Sequence, residues 1–270
     1  MRTALLLIVA SAAAAAQNLP PALAELFNQG VQAEKAGQLD AAQKAFLGVL
    51  EQGGKQAFVY NNLGIVYKER GDHEQALAQF REAVRLDSRY AAPRILMGSS
   101  LLALGRVREA VAELERAVKI DPREPAARLE LARAYERSGN LAGTVEQFRR
   151  LRELAPRDPE YAYQLGRAYM KLSAWCILEI GRIAPDSARV YQILAENRTA
   201  QGRTGEAVQA YLKAAANEPR LAGIHFALAQ IYVQVGKPDE ARAELERELA
   251  IVPENAAALA FKRKLDGAQP

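Results

Sequence analysis

Glycine returns along this chain at a fixed interval with a single interruption, and this period constrains the fold more than any other feature. The glycines of the series are Gly37, Gly71, Gly105, Gly139, Gly202 and Gly236, and neighbouring members are thirty-four positions apart except at the interruption. Self-similarity at a period between about 20 and 50 residues is typical of repeat architectures, in which each unit buries its apolar faces against its neighbours. The sequence therefore predicts an array of short, similar units rather than one globular core.

One unit of the array is shortened by five residues. The interval from Gly139 to Gly202 falls five positions short of two full periods. The prolines show the same step, because Pro185 follows Pro156 five positions earlier than the spacing of Pro122 and Pro156 would place it. Independent markers therefore place one deletion in the fifth unit.

Each unit has the pattern of two amphipathic helices joined by a turn. In the second unit, Leu63 and Tyr67 supply apolar residues at helical spacing ahead of Gly71, and an apolar stripe that includes Phe80 follows. Glycine suits the end of a helix because it adopts left-handed backbone angles at little cost. Gly64 is a small residue on the first helix, so we expect it where two helices cross closely.

The residues around these markers resemble the tetratricopeptide repeat family, whose repeating pattern runs from a bulky residue through Leu-Gly, Tyr, Ala and Phe to Pro and has the same period. In the second unit the matching residues are Tyr60, Leu63, Gly64, Tyr67, Ala76, Phe80 and Ala83. The seven copies span residues 23–56, 57–90, 91–124, 125–158, 159–187, 188–221 and 222–255. The resemblance implies an all-α fold, a right-handed α-solenoid of about seven helix pairs after a lead-in of residues 17–22. We expect residues 256–270 to form a capping helix and tail, since the last element of a repeat stack needs a polar outer face.

The fifth copy, residues 159–187, leaves two structures open. Pro185 lies five positions closer to Gly166 than the corresponding residues of other copies lie to each other. Either the second helix is cut to about Ala174–Ile183 with Ser173 as its N-cap, or the two helices of the copy fuse. We favour the shortened hairpin, because a fused helix would interrupt the stack.

The first residues have the layout of a secretory signal peptide. Arg2 precedes an uncharged stretch from Ala4 to Ala16, and this stretch ends in small residues. A membrane-spanning helix needs about 20 apolar residues, so the stretch is too short to act as an anchor. We expect residues 1–16 to be removed after export, which predicts a periplasmic or secreted protein without a membrane span.

The composition argues against several kinds of chemistry. The chain has 36 basic and 32 acidic residues, a formal net charge of +4, and the two signs are interspersed, unlike the basic patches of nucleic-acid-binding proteins. Two His and one Cys are too few for a zinc or haem site. The sequence contains neither a phosphate-binding loop nor a nucleophile elbow. We predict a protein that is not an enzyme and has no metal, no cofactor and no nucleic-acid partner.

Two residues with reactive side chains have structural interpretations. Cys176 lies between Trp175 and Ile177 in an apolar segment, which predicts a buried thiol, since reactive thiols need electropositive surroundings. His225 occupies the bulky-residue position of the seventh copy, so we expect it to be packed rather than reactive.

Binding is the function that the resemblance supports. It implies that the first helix of each copy lines a concave surface that takes a protein or peptide segment, extended or helical. The candidate lining residues are Phe27, Asn28, Val31, Phe58, Asn61, Asn62, Ile65, Lys68, Ile95, Ser99, Arg133, Arg137, Tyr163 and Arg167. Amides bond a peptide backbone and arginines bind carboxylates, which favours a ligand with an acidic portion toward the middle of the array.

Two other functions stay open at this point. The chain is compatible with an accessory subunit that positions a separate catalytic partner, such as a glycan or cell-envelope enzyme. It is also compatible with a self-associating structural stack. We favour an exported scaffold or adaptor that binds a protein segment during the assembly of a cell-envelope complex, with a partner that the residues do not name.

Overall fold

The computed structural model describes residues 19–267, and every regular element within this range is an α-helix. Its helices are α1 (Pro21–Lys35), α2 (Leu39–Glu51), α3 (Ala57–Arg70), α4 (His73–Leu86), α5 (Ala91–Ala103), α6 (Val107–Ile120), α7 (Pro125–Ser138), α8 (Leu141–Leu154), α9 (Pro159–Ile183), α10 (Ala188–Ala200), α11 (Thr204–Asn217), α12 (Ile224–Gln234), α13 (Pro238–Ile251) and α14 (Ala256–Asp266). The all-α prediction is confirmed. The predicted signal segment, residues 1–16, lies outside the described residues.

The periodic glycines end the first helix of each pair. All six have positive φ angles, between 71° and 87°. Gly71 is the C-cap of α3, and its backbone N–H donates to the carbonyls of Lys68 and Tyr67. A residue with a β-carbon would be strained in this left-handed conformation, so the turn between paired helices requires glycine.

Paired helices cross where a first helix has a glycine. A β-carbon on Gly64 would lie 2.5 Å from Cε1 of Phe80, so the phenylalanine ring of α4 rests directly on the α3 backbone. Gly30 and Gly98 have the same relation to a bulky residue sixteen positions further along. The prediction that Gly64 lies at a close helix crossing is confirmed.

The first compact unit of the chain, which we call unit 1, extends to Leu172. Its core residues come from successive helices, as in the cluster that joins Phe80 of α4, Leu101 of α5, Leu114 of α6 and Leu131 of α7. These four side chains are at most 2% exposed. Each helix pair therefore shelters the apolar face of the next pair, as the repeat pattern predicts.

The second compact unit begins at Ser173 and contains α10 to α14. The carboxylate of Glu248, fully buried on α13, accepts hydrogen bonds from the backbone N–H of Gly223 at 3.0 Å and from the side-chain amide of Asn255 at 3.1 Å. This acceptor fixes the start of α12. The predicted capping helix is present as α14, and Ala258 is its buried contact.

The fifth copy forms a single helix, so our preference for a shortened hairpin is wrong. Helix α9 is continuous from Pro159 to Ile183, and Ser173 lies in its interior rather than at an N-cap. The deletion removed the turn glycine, and helical hydrogen bonding continues through Leu172. The described residues therefore contain six helix pairs, one long helix and a cap, instead of seven pairs. The division between the two compact units falls within this helix.

Candidate binding face

The first helices of unit 1 form one closely spaced row. Helix α1 contacts α3, α3 contacts α5, and α5 contacts α7. The second helices α2, α4, α6 and α8 make their main contacts with first helices rather than with one another. In a curved stack, the more closely spaced row lies on the concave side. We call the surface formed by α1, α3, α5, α7 and the part of α9 up to Leu172 the first-helix face.

Close spacing buries much of the predicted lining. The prediction of an open surface is wrong for six residues that are at most 9% exposed, namely Phe27, Val31, Asn61, Asn62, Ile65 and Ile95. Phe27 shows the cause, because its ring packs edge-on against Phe58 with centroids 5.1 Å apart and is covered by neighbouring helices. These residues hold the row together and do not present a surface to a ligand.

The accessible part of the predicted lining is mostly polar. Phe58, Lys68, Ser99 and Arg167 are partly buried, and the exposed residues are Asn28, Arg133, Arg137 and Tyr163. Asn62, which sequence reasoning assigned to a ligand backbone, instead donates its side-chain N–H to the carbonyl of Phe58 at 2.7 Å. The exposed charged and aromatic side chains of the predicted lining therefore lie on α7 and at the start of α9.

Four cations form a group at this end of the face. We call Arg133, Arg137, Arg167 and Lys171 the cationic group. Arg133 forms an ion pair with Glu130 at 2.6 Å, and Lys171 forms one with Glu136. Arg137 instead donates to the carbonyl of Leu102, at 2.5 Å.

Arg167 bonds only neutral groups as well. Its guanidinium donates to Oε1 of Gln164 at 3.1 Å and lies over the Tyr163 ring, 5.8 Å from the centroid. Among residues 19–267, neither Arg137 nor Arg167 has a carboxylate partner. Two guanidiniums at this end of the face are therefore available for an external carboxylate.

The opposite end of the face contains a buried acid. Glu34 on α1 is 9% exposed, and its Oε2 atom has no hydrogen-bond partner among the described residues. Burial raises the pKa of Glu34 to about 7, the nearby Glu69 carboxylate adds to this rise, and Lys35 opposes it. Near neutral pH this carboxyl is poised between its neutral and charged forms.

An open groove that sequence reasoning missed lies on the first helix pair. Its volume is about 850 Å³, and it is lined by Glu25, Leu26, Asn28, Gln29, Gln32, Ala33, Ala36, Gln38, Ala41, Lys44, Ala45 and Gly48. Asn28 is the one predicted lining residue among them. The lining combines amides with small residues, and alanines on successive helix turns, such as Ala41 and Ala45, are the sequence feature that indicates this groove.

The two side chains considered for chemistry, Cys176 and His225, have different surroundings. Cys176 is exposed, so the prediction of a buried thiol is wrong, and its neighbours Trp175 and Leu178 are exposed as well. His225 is packed as predicted, at 8% exposure, with Nδ1 2.6 Å from Oε2 of Glu244. Within residues 19–267, no three His, Cys, Asp or Glu side chains come together as metal ligands would. Over the same range, no helix is both long enough and apolar enough to cross a bilayer.

Comparison with known proteins agrees with the repeat pattern. A tetratricopeptide-repeat family model matches residues 67–124, 101–168 and 198–265, and a second tetratricopeptide-repeat model matches residues 22–89. These matches cover most of the chain, which therefore belongs to the tetratricopeptide repeat family. No curated protein gives a significant sequence match.

Two solved structures of low sequence identity, with TM-scores of 0.50, share the fold. A tetratricopeptide repeat protein from Parabacteroides merdae has a TM-score of 0.50 and 13% identity, with 91% of this chain and 99% of that chain covered. The Naa15/Naa10 complex bound to HypK-THB has a TM-score of 0.50 and 16% identity over 92% of this chain. The Cut9–Hcn1 assembly of the APC/C has a TM-score of 0.49 and 18% identity over 90% of this chain. This chain spans 39% of the matched Naa15/Naa10 chain and 42% of the Cut9–Hcn1 chain.

Proposed function

We propose that this chain is an exported scaffold that binds an acidic protein segment on the first-helix face of unit 1 and acts by binding rather than by catalysis. The observation that carries the proposal is the pair of guanidiniums, Arg137 and Arg167, that bond only neutral groups. Arginine binds carboxylates through two parallel hydrogen bonds, and such charge-assisted bonds are the strong ones. The exposed ring of Tyr163 supplies adjacent apolar area for a ligand side chain.

Binding is tested with a defined probe. A fluorescein-labelled peptide of alternating glutamate and leucine is expected to bind the purified protein, and the matched lysine–leucine peptide is not. Replacing Arg137→Glu and Arg167→Glu together should weaken binding of the acidic peptide by about tenfold or more, since each charge-assisted bond contributes about 1.5–3 kcal/mol.

The matched control for this charge reversal keeps the same change in net charge. Arg89→Glu and Arg108→Glu alter two exposed arginines outside the cationic group. This control should retain binding of the acidic peptide. Equal loss in both double variants, or equal binding of the two peptides, would reject a specific acidic-ligand face.

Export is the second part of the proposal, and it is supported by the sequence of residues 1–16. We propose that the scaffold works outside the cytoplasm, where it takes part in assembling a cell-envelope complex. Intact mass spectrometry of the protein from the exported fraction should show a chain that begins at Gln17. A chain that stays in the cytoplasm with Met1 or Arg2 at its N-terminus would contradict this part alone and would leave the peptide test unaffected.

A further inference from the structure

The acid at the α1 end of the first-helix face lacks a hydrogen-bond donor. Glu34 is 9% exposed, and its Oε2 atom has no partner among residues 19–267. A buried carboxyl without a donor has lost its hydration and gained no hydrogen bond in exchange, which costs stability. Buried titratable groups with perturbed surroundings cluster at functional sites, so Glu34 is a candidate contact for a donor that belongs to a ligand.

The charges around Glu34 favour a cation. The exposed Glu69 carboxylate of α3 raises the pKa of Glu34, and the opposing effect of Lys35 is smaller. Arg70, next to Glu69 in the sequence, forms an ion pair with Asp40. The neighbouring charges therefore stabilise an added positive charge, whether a proton or a cationic group of a ligand.

A lysine side chain suits this position better than a metal ion does. Two carboxylates supply fewer oxygen atoms than the six or more that Ca²⁺ or Mg²⁺ takes. Lysine has a compact charge on a flexible four-carbon stem, which reaches a recessed carboxylate more readily than the planar fork of arginine does. The ligand group that fits Glu34 is therefore an ammonium.

Glu34 lies at the same level of the stack as the nearest cation of the cationic group. Glu34 and Leu102 are two periods apart and occupy equivalent positions on α1 and α5. Arg137 reaches this level, since it donates to the carbonyl of Leu102. Packed helices lie about 8–10 Å apart, so the two helix spacings between α1 and α5 correspond to about 16–20 Å. An extended chain covers that distance with about five or six residues.

We propose that the first-helix face binds an extended segment in which a lysine lies about six residues from the acidic portion, with the lysine on Glu34 and the acidic portion on Arg137 and Arg167. This inference rests on the proposed function and adds the chemistry and orientation of the ligand. A helical ligand needs an apolar groove, whereas the accessible lining is mostly polar. Opposite charges at the two ends favour one orientation, because each end of a reversed segment meets a like charge.

Two fluorescein-labelled peptides with blocked ends test the proposal. Each has an acidic half of alternating glutamate and leucine preceded by five glycine and serine residues, and only the first residue differs, lysine in one and glutamine in the other. A second pair with the residue order reversed covers the opposite chain direction. At pH 8, where Glu34 is charged, the lysine peptide of one pair should bind about tenfold more tightly than its glutamine counterpart, as a charge-assisted hydrogen bond provides.

Glu34→Gln is the matched change in the protein. It keeps the size of the side chain and removes the buried charge, so the fold should remain intact by circular dichroism. This variant should lose the preference for the lysine peptide and keep its affinity for the glutamine peptide. Glu25→Gln removes an exposed carboxylate from the same helix and changes the net charge equally, and it should keep the preference.

The outcomes separate this inference from the proposed function. Equal affinity for the lysine and glutamine peptides of both pairs, or a lysine preference that survives Glu34→Gln, would overturn the lysine site and leave the acidic-segment face standing. Failure of all four peptides to bind would reject the proposed function and this inference with it.

Discussion

The ring of Phe80 occupies the space that a β-carbon on Gly64 would fill, with Cε1 2.5 Å from that position. The two residues belong to antiparallel helices of one copy, and the ring is fully buried. A small residue paired with a bulky one sixteen positions later sets how closely the two helices approach. This contact is the elementary unit of the stack. It is absent at Gly166, in the copy where a single helix replaces the helix pair.

Enlarging Gly64 should destabilise unit 1. Gly64→Leu forces the Phe80 ring away from α3, and overpacking of this kind costs about 1–3 kcal/mol in the free energy of unfolding. Urea denaturation followed by circular dichroism measures the change. Gly205→Ala is the control, because nothing lies within 4 Å of its added methyl and helix propensity favours alanine. Equal stability of Gly64→Leu and the natural protein would show that the helices do not cross at this glycine.

The stability of unit 1 should depend on the ionisation of Glu34. Burial raises the pKa of its carboxyl from 4.5 to about 7 in the folded protein. Between these pH values the folded state keeps a proton that the unfolded state releases, so the free energy of unfolding falls as pH rises through this window. Glu34→Gln removes this dependence and should become progressively more stable than the natural protein from pH 5 to pH 8.

Denaturant titrations at several pH values measure this difference. The matched control is Glu25→Gln, an exposed carboxyl on the same helix, and its curve should run parallel to that of the natural protein. A Glu34→Gln curve that is also parallel would mean that Glu34 is solvated in the folded chain.

Loss of the Glu248 carboxylate should unfold the start of α12. Glu248→Ala leaves the N–H of Gly223 and the amide of Asn255 without their acceptor inside the protein. A buried donor left unpaired costs about 1–3 kcal/mol. Thermal melting and hydrogen exchange at residues 223–226 measure the loss. Glu246→Ala, on the same helix but exposed, should change stability by less than about 0.5 kcal/mol, and similar melting of both variants would argue against the buried acceptor.

Local features of the sequence were sufficient to predict the helix pairs. The turn glycines, the crossing at Gly64 and the capping helix each depend on residues within one copy or its neighbour. The same local patterns placed Cys176 in an apolar helix and led to the expectation of burial. That expectation was wrong because burial requires a partner helix, and the deletion in the fifth copy removed the turn that would have supplied one.

Two features could not be predicted from the sequence of a single copy: the fused helix α9, and which of the lining residues stay accessible. The deletion was visible in the glycine spacing, but whether Leu172 and Ser173 form a turn or continue a helix depends on the strength of the hairpin contact against helical hydrogen bonding. Similarly, Phe27 and Asn61 have the periodicity of lining residues, yet the close approach of neighbouring first helices covers them. Arg133 and Arg137 stay exposed because long charged side chains are rarely buried without a partner.

The distance between Glu160 and Ile183 tests the central feature of this structure, the single helix that replaces the fifth pair. Spin labels are attached at Glu160→Cys and Ile183→Cys in a Cys176→Ser background. With an excess of unlabelled protein, pulsed electron paramagnetic resonance then measures the distance between the two labels of one chain. A continuous helix over these positions predicts backbone positions about 34 Å apart. A separation of about 10 Å, the spacing of two packed helices, would show that the fifth copy folds as a hairpin and would contradict the account.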